Sequence, residues 1–292
     1  MANPRVLVKR RNSVRNIRKI TRTMQLIATS KFQKALGRAT SSKPYADKIG
    51  DLVADLSTSG AQVDHPLLKQ NPDAQKSALL LISSNRGLCG GYNSSLLRLA
   101  QARLASAEQP VDLHVVGKKG VGYFKFLKQT MARALTDFAD TPAFTDVEPF
   151  AVDFMRQYEA GAYSAVNVVY MQFHSAARQE PTCVQLLPIG GDAQQDEAHA
   201  ADQTEGQTQY DFSPTPQELL AQLLPVTVKV RLFQCFMDAH VSEQVARMVA
   251  MKAATDAADD MIKTLSGQYN RARQSQITSE LLDIIGGAEA LK

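Results

Sequence analysis

Met248, Met251, Thr255, Ala258, Ile262, Leu265, Tyr269, Ala272 and Gln276 follow one another at alternating steps of three and four residues without a slip. Such a run, about four heptads long, makes a narrow seam that a second helix has to cover. No proline follows Pro225, and Gly267 is the only glycine between there and the Gly286-Gly287 pair, so one helix from about residue 226 to 285 is predicted. At 1.5 Å per residue it is roughly 90 Å long, more than one α/β domain can cover. The nearest seam of matching period is at the other end of the chain. Residues 5–59 contain only Gly37, Pro44 and Gly50 as breakers, and Val14, Ile17, Thr21, Met24 and Ala28 step by three and four, with Ile20 and Ile27 beside them. The two ends are therefore expected to pair as an intramolecular antiparallel coiled coil. Pro44, with Ser41 and Ser42 before it as caps, is expected to kink the first helix or restart it. Small and soft seam residues predict close packing and marginal stability in isolation.

Residues 77–190 read differently. Ser77–Ser83 is a short apolar run, followed by a glycine-rich turn from Arg86 to Tyr92 and a helix over Ser94–Ala107. Val111–Val116 is a second strand, and a helix opens in Gly117–Gly122. Val147–Glu159 is helical, and Ala165–Phe173 and Thr182–Ile189 form a pair of strands. Strands alternating with helices predict a mainly parallel sheet covered on both faces, with the last two strands adding an antiparallel hairpin. The fold class is thus α/β, a Rossmann-like domain inserted between two coiled-coil helices. The segments are 1–60 for the first helix, 70–192 for the α/β domain, 193–216 for an acidic loop and 217–292 for the second helix. Asp192–Asp211 holds six acids and no Lys or Arg, a composition that favours a surface loop.

Charge is distributed unevenly. The first 50 residues carry thirteen Lys and Arg against the single acid Asp47, although the whole chain is only +4. Lys9, Arg10, Arg11, Arg15, Arg18, Lys19 and Arg22 can be read as a nucleic-acid face, an acid-poor transit segment, or a surface for an acidic protein. No aromatic residue is interleaved with them, and the helical pattern runs on without a cleavage-like break, so a protein socket fits best. A basic nucleic-acid-binding coiled-coil protein is the alternative.

Little in the sequence supports catalysis. The turn Ser84–Asn93 (SNRGLCGGYN) follows a strand and opens a helix, a place where backbone amides can hold an anion, but it matches neither GxGxxG nor GxxxxGK[ST]. Cys89 reads as a small buried residue. The three cysteines form no CxxC and the five histidines show no metal spacing, so neither a disulfide framework nor a metal site is expected, and a reducing compartment is the default. Asp259-Asp260 read as solvated carboxylates on a helix. Arg271, Arg273, Gln274, Gln276, Thr278 and Glu280 crowd fork-type polar groups near the C-terminus, suited to bidentate contacts with a partner.

Val14–Ala35, Ser84–Asn93 and residues 242–291 together closely resemble the gamma subunits of F-type ATP synthases, in order and spacing along the whole chain. The resemblance implies the central stalk of a rotary motor. Its paired helices would rise through the alpha3beta3 hexamer of alternating alpha and beta subunits. Its α/β domain would sit at the foot with the epsilon subunit on the membrane ring of c subunits. It implies no catalytic residue, no cofactor and no metal, and no membrane contact except through the complex. Residue by residue, Met24 matches a methionine of the N-terminal helix at which added charge disturbs coupling, and Arg247 an arginine of the C-terminal helix. Arg273, Gln274, Thr278 and Glu280 match a polar catch for beta-subunit loops, and Tyr210 the foot tyrosine that touches the c ring. Asn85 stands where the family has aspartate, Ser213 where it often has glutamate, and the acidic loop is longer than the common form. With no cysteine pair in the middle domain, a chloroplast-type thiol switch is not expected. A bacterial chain at the cytoplasmic face of the inner membrane is expected, since no presequence is evident.

Overall fold

The computed structural model describes residues 4–58, 65–136, 138, 141–190 and 216–290. Tyr210, Ser213 and the acidic segment Asp192–Asp211 lie outside the described residues.

Two helices bracket the chain, α1 over Pro4–Thr58 and the last helix, α5, over Pro216–Ala290. Between them come β1 (Ser77–Ile82), α2 (Tyr92–Ala105), β2 (Val111–Val116), α3 (Lys118–Phe126), β3 (Arg133–Leu135), α4 (Phe144–Glu159), β4 (Val166–Phe173) and β5 (Gln179–Leu187). Pro44 does not restart α1, which stays helical on both sides of it. A proline removes one N–H donor, here to the Thr40 carbonyl, and the long helical stretches on either side outweigh that loss. The chain divides into two compact units, residues 1–30 with 247–292, and residues 31–246.

The larger unit is built on a five-stranded sheet of order β3-β2-β1-β4-β5. β1 runs parallel to β2 and β4, β2 is parallel to β3, and β5 closes the edge antiparallel to β4. On one face, Leu96, Leu97 and Ala100 of α2 and Val121 and Phe124 of α3 pack on Leu79, Leu81, Leu113 and Val115. On the other, Ala151, Phe154 and Tyr158 of α4 and Leu224, Val228, Leu232 and Phe236 of α5 pack on Ala78, Leu80, Ile82 and Val168. Alternation along β1 sends successive side chains to opposite cores, as a sheet covered on both sides requires. Ala35 and Ala39 of α1 pack with Met237 and Val241 of α5 in a third cluster of the same unit.

Helices begin earlier than their apolar patterns. α4 starts at Phe144 because Asp146 reaches back to accept the Ala143 N–H at 3.1 Å, a carboxylate closing the first turn. α2 starts at Tyr92, whose N–H donates to the Cys89 carbonyl at 3.2 Å. The three-residue β3 was not expected.

Buried on β2, His114 is 5 % exposed and meets Phe154 edge-on with ring centroids 5.1 Å apart. Its Nε2 has no hydrogen-bond partner among the described residues. Burial holds its pKa below the ordinary 6.5; Asp112 and Asp153 pull it up and Arg133 pushes it down. The unfolded chain therefore takes up a proton that the folded one resists. Stability is full above the ordinary histidine value near 6.5 and falls as pH drops toward the depressed folded value. Denaturant titrations across that range should show the loss, and His114→Leu should flatten it.

Candidate functional site

In the unit formed by residues 1–30 and 247–292, three contacts between the helices fix the register. The Thr255 hydroxyl donates to the Thr21 hydroxyl at 2.8 Å, and Thr21 in turn donates to the Arg18 carbonyl at 3.1 Å. Arg18 Nε meets Asp259 at 2.8 Å, and the Arg11 guanidinium lies 5.2 Å from the centre of the Tyr269 ring. As α1 numbers fall, α5 numbers rise, so the pairing is antiparallel. Asp259, its side chain 40 % exposed, is a solvated carboxylate as expected but also pairs across the seam; the Asp260 carboxylate meets Lys263, one turn on, at 3.1 Å.

The seam on α5 is the predicted one as far as Ala272, with Met251, Thr255, Ala258 and Leu265 buried; Gln276 is exposed. On α1 it runs through Leu7, Val14, Thr21 and Ala28, spaced by sevens, with Arg11, Arg18 and Gln25 filling the intervening places. Ile17, expected in it, is 52 % exposed. The Thr21–Thr255 pair is a polar contact inside an otherwise apolar seam, a device that specifies register. Thr21→Val should destabilise this pairing by about 1 kcal/mol, because Thr255 keeps the Met251 carbonyl, 2.8 Å away, as an acceptor. Chemical denaturation monitored through a probe on α5 would measure it.

Two surfaces remain uncovered. Ile17, Ile20 and Ile27 are each more than half exposed and, with the half-buried Met24, form a second stripe stepping 3-4-3 along α1 beside the seam. The second surface begins after Ser275, where every described α5 side chain is exposed, Ile277, Leu281, Leu282, Ile284 and Ile285 included. Carrying the register back to Pro4 reaches only to about residue 276, so α1 offers nothing to pack there. Thr278 and Glu280 lie exposed on this stretch, and Arg273 and Gln274 are exposed just before it, opposite the start of α1. Thr278 donates to the Gln274 carbonyl at 2.9 Å, and Glu280 accepts from Gln276 at 2.8 Å, a partner the sequence reading did not assign. Arg247 is buried. Lys9, Arg10, Arg15, Lys19 and Arg22 are exposed along α1. Among the described residues no three His, Cys, Asp or Glu side chains gather as metal ligands, and no helix is long and apolar enough to cross a membrane.

In the larger unit the glycine-rich turn closes on itself. The Asn93 carboxamide accepts the Ser84 N–H at 3.2 Å and donates to the Ser84 hydroxyl at 2.8 Å and to the Cys89 sulfur at 3.2 Å. Ser84 donates to the Arg86 carbonyl at 2.7 Å. Asn85 donates to the Phe138 carbonyl at 2.9 Å and accepts the Lys118 N–H at 3.2 Å; an ionised aspartate could do only the second. Cys89 is buried, as read. The crevice above the carboxyl end of β1 has a volume of about 40 Å³, against the roughly 300 Å³ and more of ligand pockets. A nucleotide does not fit.

A family model described as ATP synthase matches residues 3–291. The chain is 46% identical over 297 residues to the ATP synthase gamma chain of Rhodopirellula baltica and 39% identical over 294 residues to that of Leptospira biflexa, covering 100% of both chains in each case. Among solved structures, it is similar to a chain of the Euglena gracilis mitochondrial ATP synthase rotor, with TM-score 0.64, 18% identity and coverage of 94% of this chain and 98% of that one. A chain of the OSCP/F1/c-ring structure of the same enzyme gives TM-score 0.66 at 18% identity, covering 99% and 94%.

Proposed function

The chain belongs to the ATP synthase gamma-chain family, and from that premise we propose how its surfaces couple ion flow to ATP synthesis. It is a non-catalytic central-stalk subunit. Its partners are the alpha and beta subunits of the alpha3beta3 hexamer, the epsilon subunit and the c-subunit ring. It acts as a peripheral protein at the cytoplasmic face of a bacterial inner membrane. Residues 1–60 and 217–292 serve as the coil, 70–192 as the foot domain and 193–216 as its loop, with Tyr210 touching the ring.

A shaft whose sides differ favours a different conformation in each beta subunit it faces. Turning it changes nucleotide affinity at each site in sequence, a tenfold change needing about 1.4 kcal/mol of differential contact. On this reading the stripe Ile17, Ile20, Met24 and Ile27 bears on the hexamer, Arg247 steadies the coil, and Arg273, Gln274, Thr278 and Glu280 engage beta-subunit loops. The exposed basic row of α1 meets acidic protein, which leaves the nucleic-acid alternative without support. The observation that supports this is that Arg273, Gln274, Thr278 and Glu280 are all exposed near the end of α5, the last two beyond the reach of α1. Deleting residues 273–292 should leave the α/β unit folded and lower ATP-driven ion pumping by about tenfold, a loss of order 1.4 kcal/mol. Unchanged pumping in reconstituted vesicles would refute the catch.

A further inference from the structure

In a sheet of order β3-β2-β1-β4-β5, the connections leave β1 and β4 in opposite directions, and the crevice between their carboxyl ends is the place where doubly wound folds bind ligands. Here the chain's own last helix occupies it. Tyr92, the first residue of α2 and the end of the glycine-rich turn, donates its buried hydroxyl to the Ala239 carbonyl of α5 at 3.1 Å. Ser242, fully buried one turn further along α5, donates to the Met171 carbonyl of β4 at 3.3 Å. Two buried hydroxyls thus tie neighbouring turns of one helix to α2 and to β4. The Ala239 carbonyl is four residues before Glu243, so it carries a side-chain bond in addition to its place in the helix ladder. Phe138 stacks on Phe236 at 5.0 Å and Lys229 pairs with Glu148 of α4 at 2.7 Å, holding α5 on the same side.

We infer that the Ser84–Asn93 turn, through Tyr92 and together with Ser242, is a grip that keeps the α/β unit from slipping on α5 under torque. The turn follows a strand and opens a helix, but Ser84 and Asn93 bond each other, Asn85 bonds Phe138 and Lys118, and the Tyr92 hydroxyl bonds α5. This rests on the stalk reading: α5 continues past Ala246 into the other unit, and these two bonds add fixed, directional links to the apolar packing that joins α5 to the foot domain. Tyr92 and Ser242 are positioning residues, not catalytic ones.

The test uses the complete ATP synthase in vesicles, carrying Tyr92→Phe, Ser242→Ala, or both. Each change removes an oxygen and leaves the packed shape. Tyr123→Phe serves as control, since it removes a hydroxyl bond of 2.8 Å to Gln101 on the same domain, away from α5. The double variant should hydrolyse ATP at the normal rate while the ions moved per ATP fall about threefold to fivefold, the size expected for losing a hydrogen bond or two. The control should match the unaltered enzyme. Unchanged ions per ATP would overturn the grip. So would a parallel fall of hydrolysis, assembly and thermal stability, which marks a merely structural role. If the unaltered chain fails to couple at all, it is the stalk reading that fails.

Discussion

Gly117→Ala is expected to unfold the α/β unit under conditions where the unaltered chain is stable. Gly117 sits between β2 and α3 at φ +96°, a conformation that side-chain-bearing residues rarely adopt. A Cβ there would lie 2.2 Å from the Ser83 carbonyl oxygen and 2.7 Å from its carbon. Neither side can yield. Ser83 donates to the Val116 carbonyl at 2.6 Å and accepts the Gly120 N–H at 3.0 Å, and the Gly117 N–H donates to the Leu135 carbonyl at 2.9 Å. Backbone strain and collision together should cost more than about 4 kcal/mol, a large part of the 5–15 kcal/mol by which domains are stable. Urea denaturation measures it. Gly122→Ala is the control: a Cβ there meets nothing within 4 Å, and in the middle of α3 it should stabilise by up to about 1 kcal/mol.

The second large effect is expected from the stripe on α1. Ile17, Ile20 and Ile27 are 52 %, 59 % and 53 % exposed and support neither the seam nor the α/β core. Replacing all three with glutamate should leave the thermal unfolding of the isolated chain within about 1 kcal/mol, as surface changes do. In the assembled enzyme, three carboxylates would have to enter a protein surface without partners. Each buried polar group left unpaired costs about 1–3 kcal/mol, so affinity for the hexamer should fall by at least about a hundredfold. Measuring stability of the free chain beside hexamer binding separates the two effects.

These surfaces also show what the sequence could and could not convey. The α5 seam was readable because steps of three and four run from Met248 to Ala272 without a slip, even though apolar residues such as Val249 and Met261 lie beside it. On α1, two apolar stripes lie side by side, one through Val14, Thr21 and Ala28, the other through Ile17, Ile20, Met24 and Ile27. Period alone does not tell which of them meets α5. The choice follows from contacts made over 234 residues of sequence, as in Thr21–Thr255, and a local pattern carries no such information. The Asp259 ion pair was not legible for the same reason, its partner Arg18 being on the other helix. The alternation of strands and helices gave the parallel sheet and its antiparallel edge, but β3, with its three residues Arg133–Leu135, is too short for any periodicity. The glycine turn was legible as a turn, and Cys89 as a buried residue. That Tyr92 grips a helix 147 positions away was not, since its partner is a backbone carbonyl, which no residue type announces.

The most direct test of the whole account is to watch the subunit turn. With the chain assembled into its own alpha and beta subunits, the hexamer fixed to a surface and a probe attached to the α/β domain, added ATP should drive stepwise rotation in one direction, halting when ATP is withdrawn. An assembled complex that hydrolyses ATP while the probe stays still, or only fluctuates without direction, would contradict it.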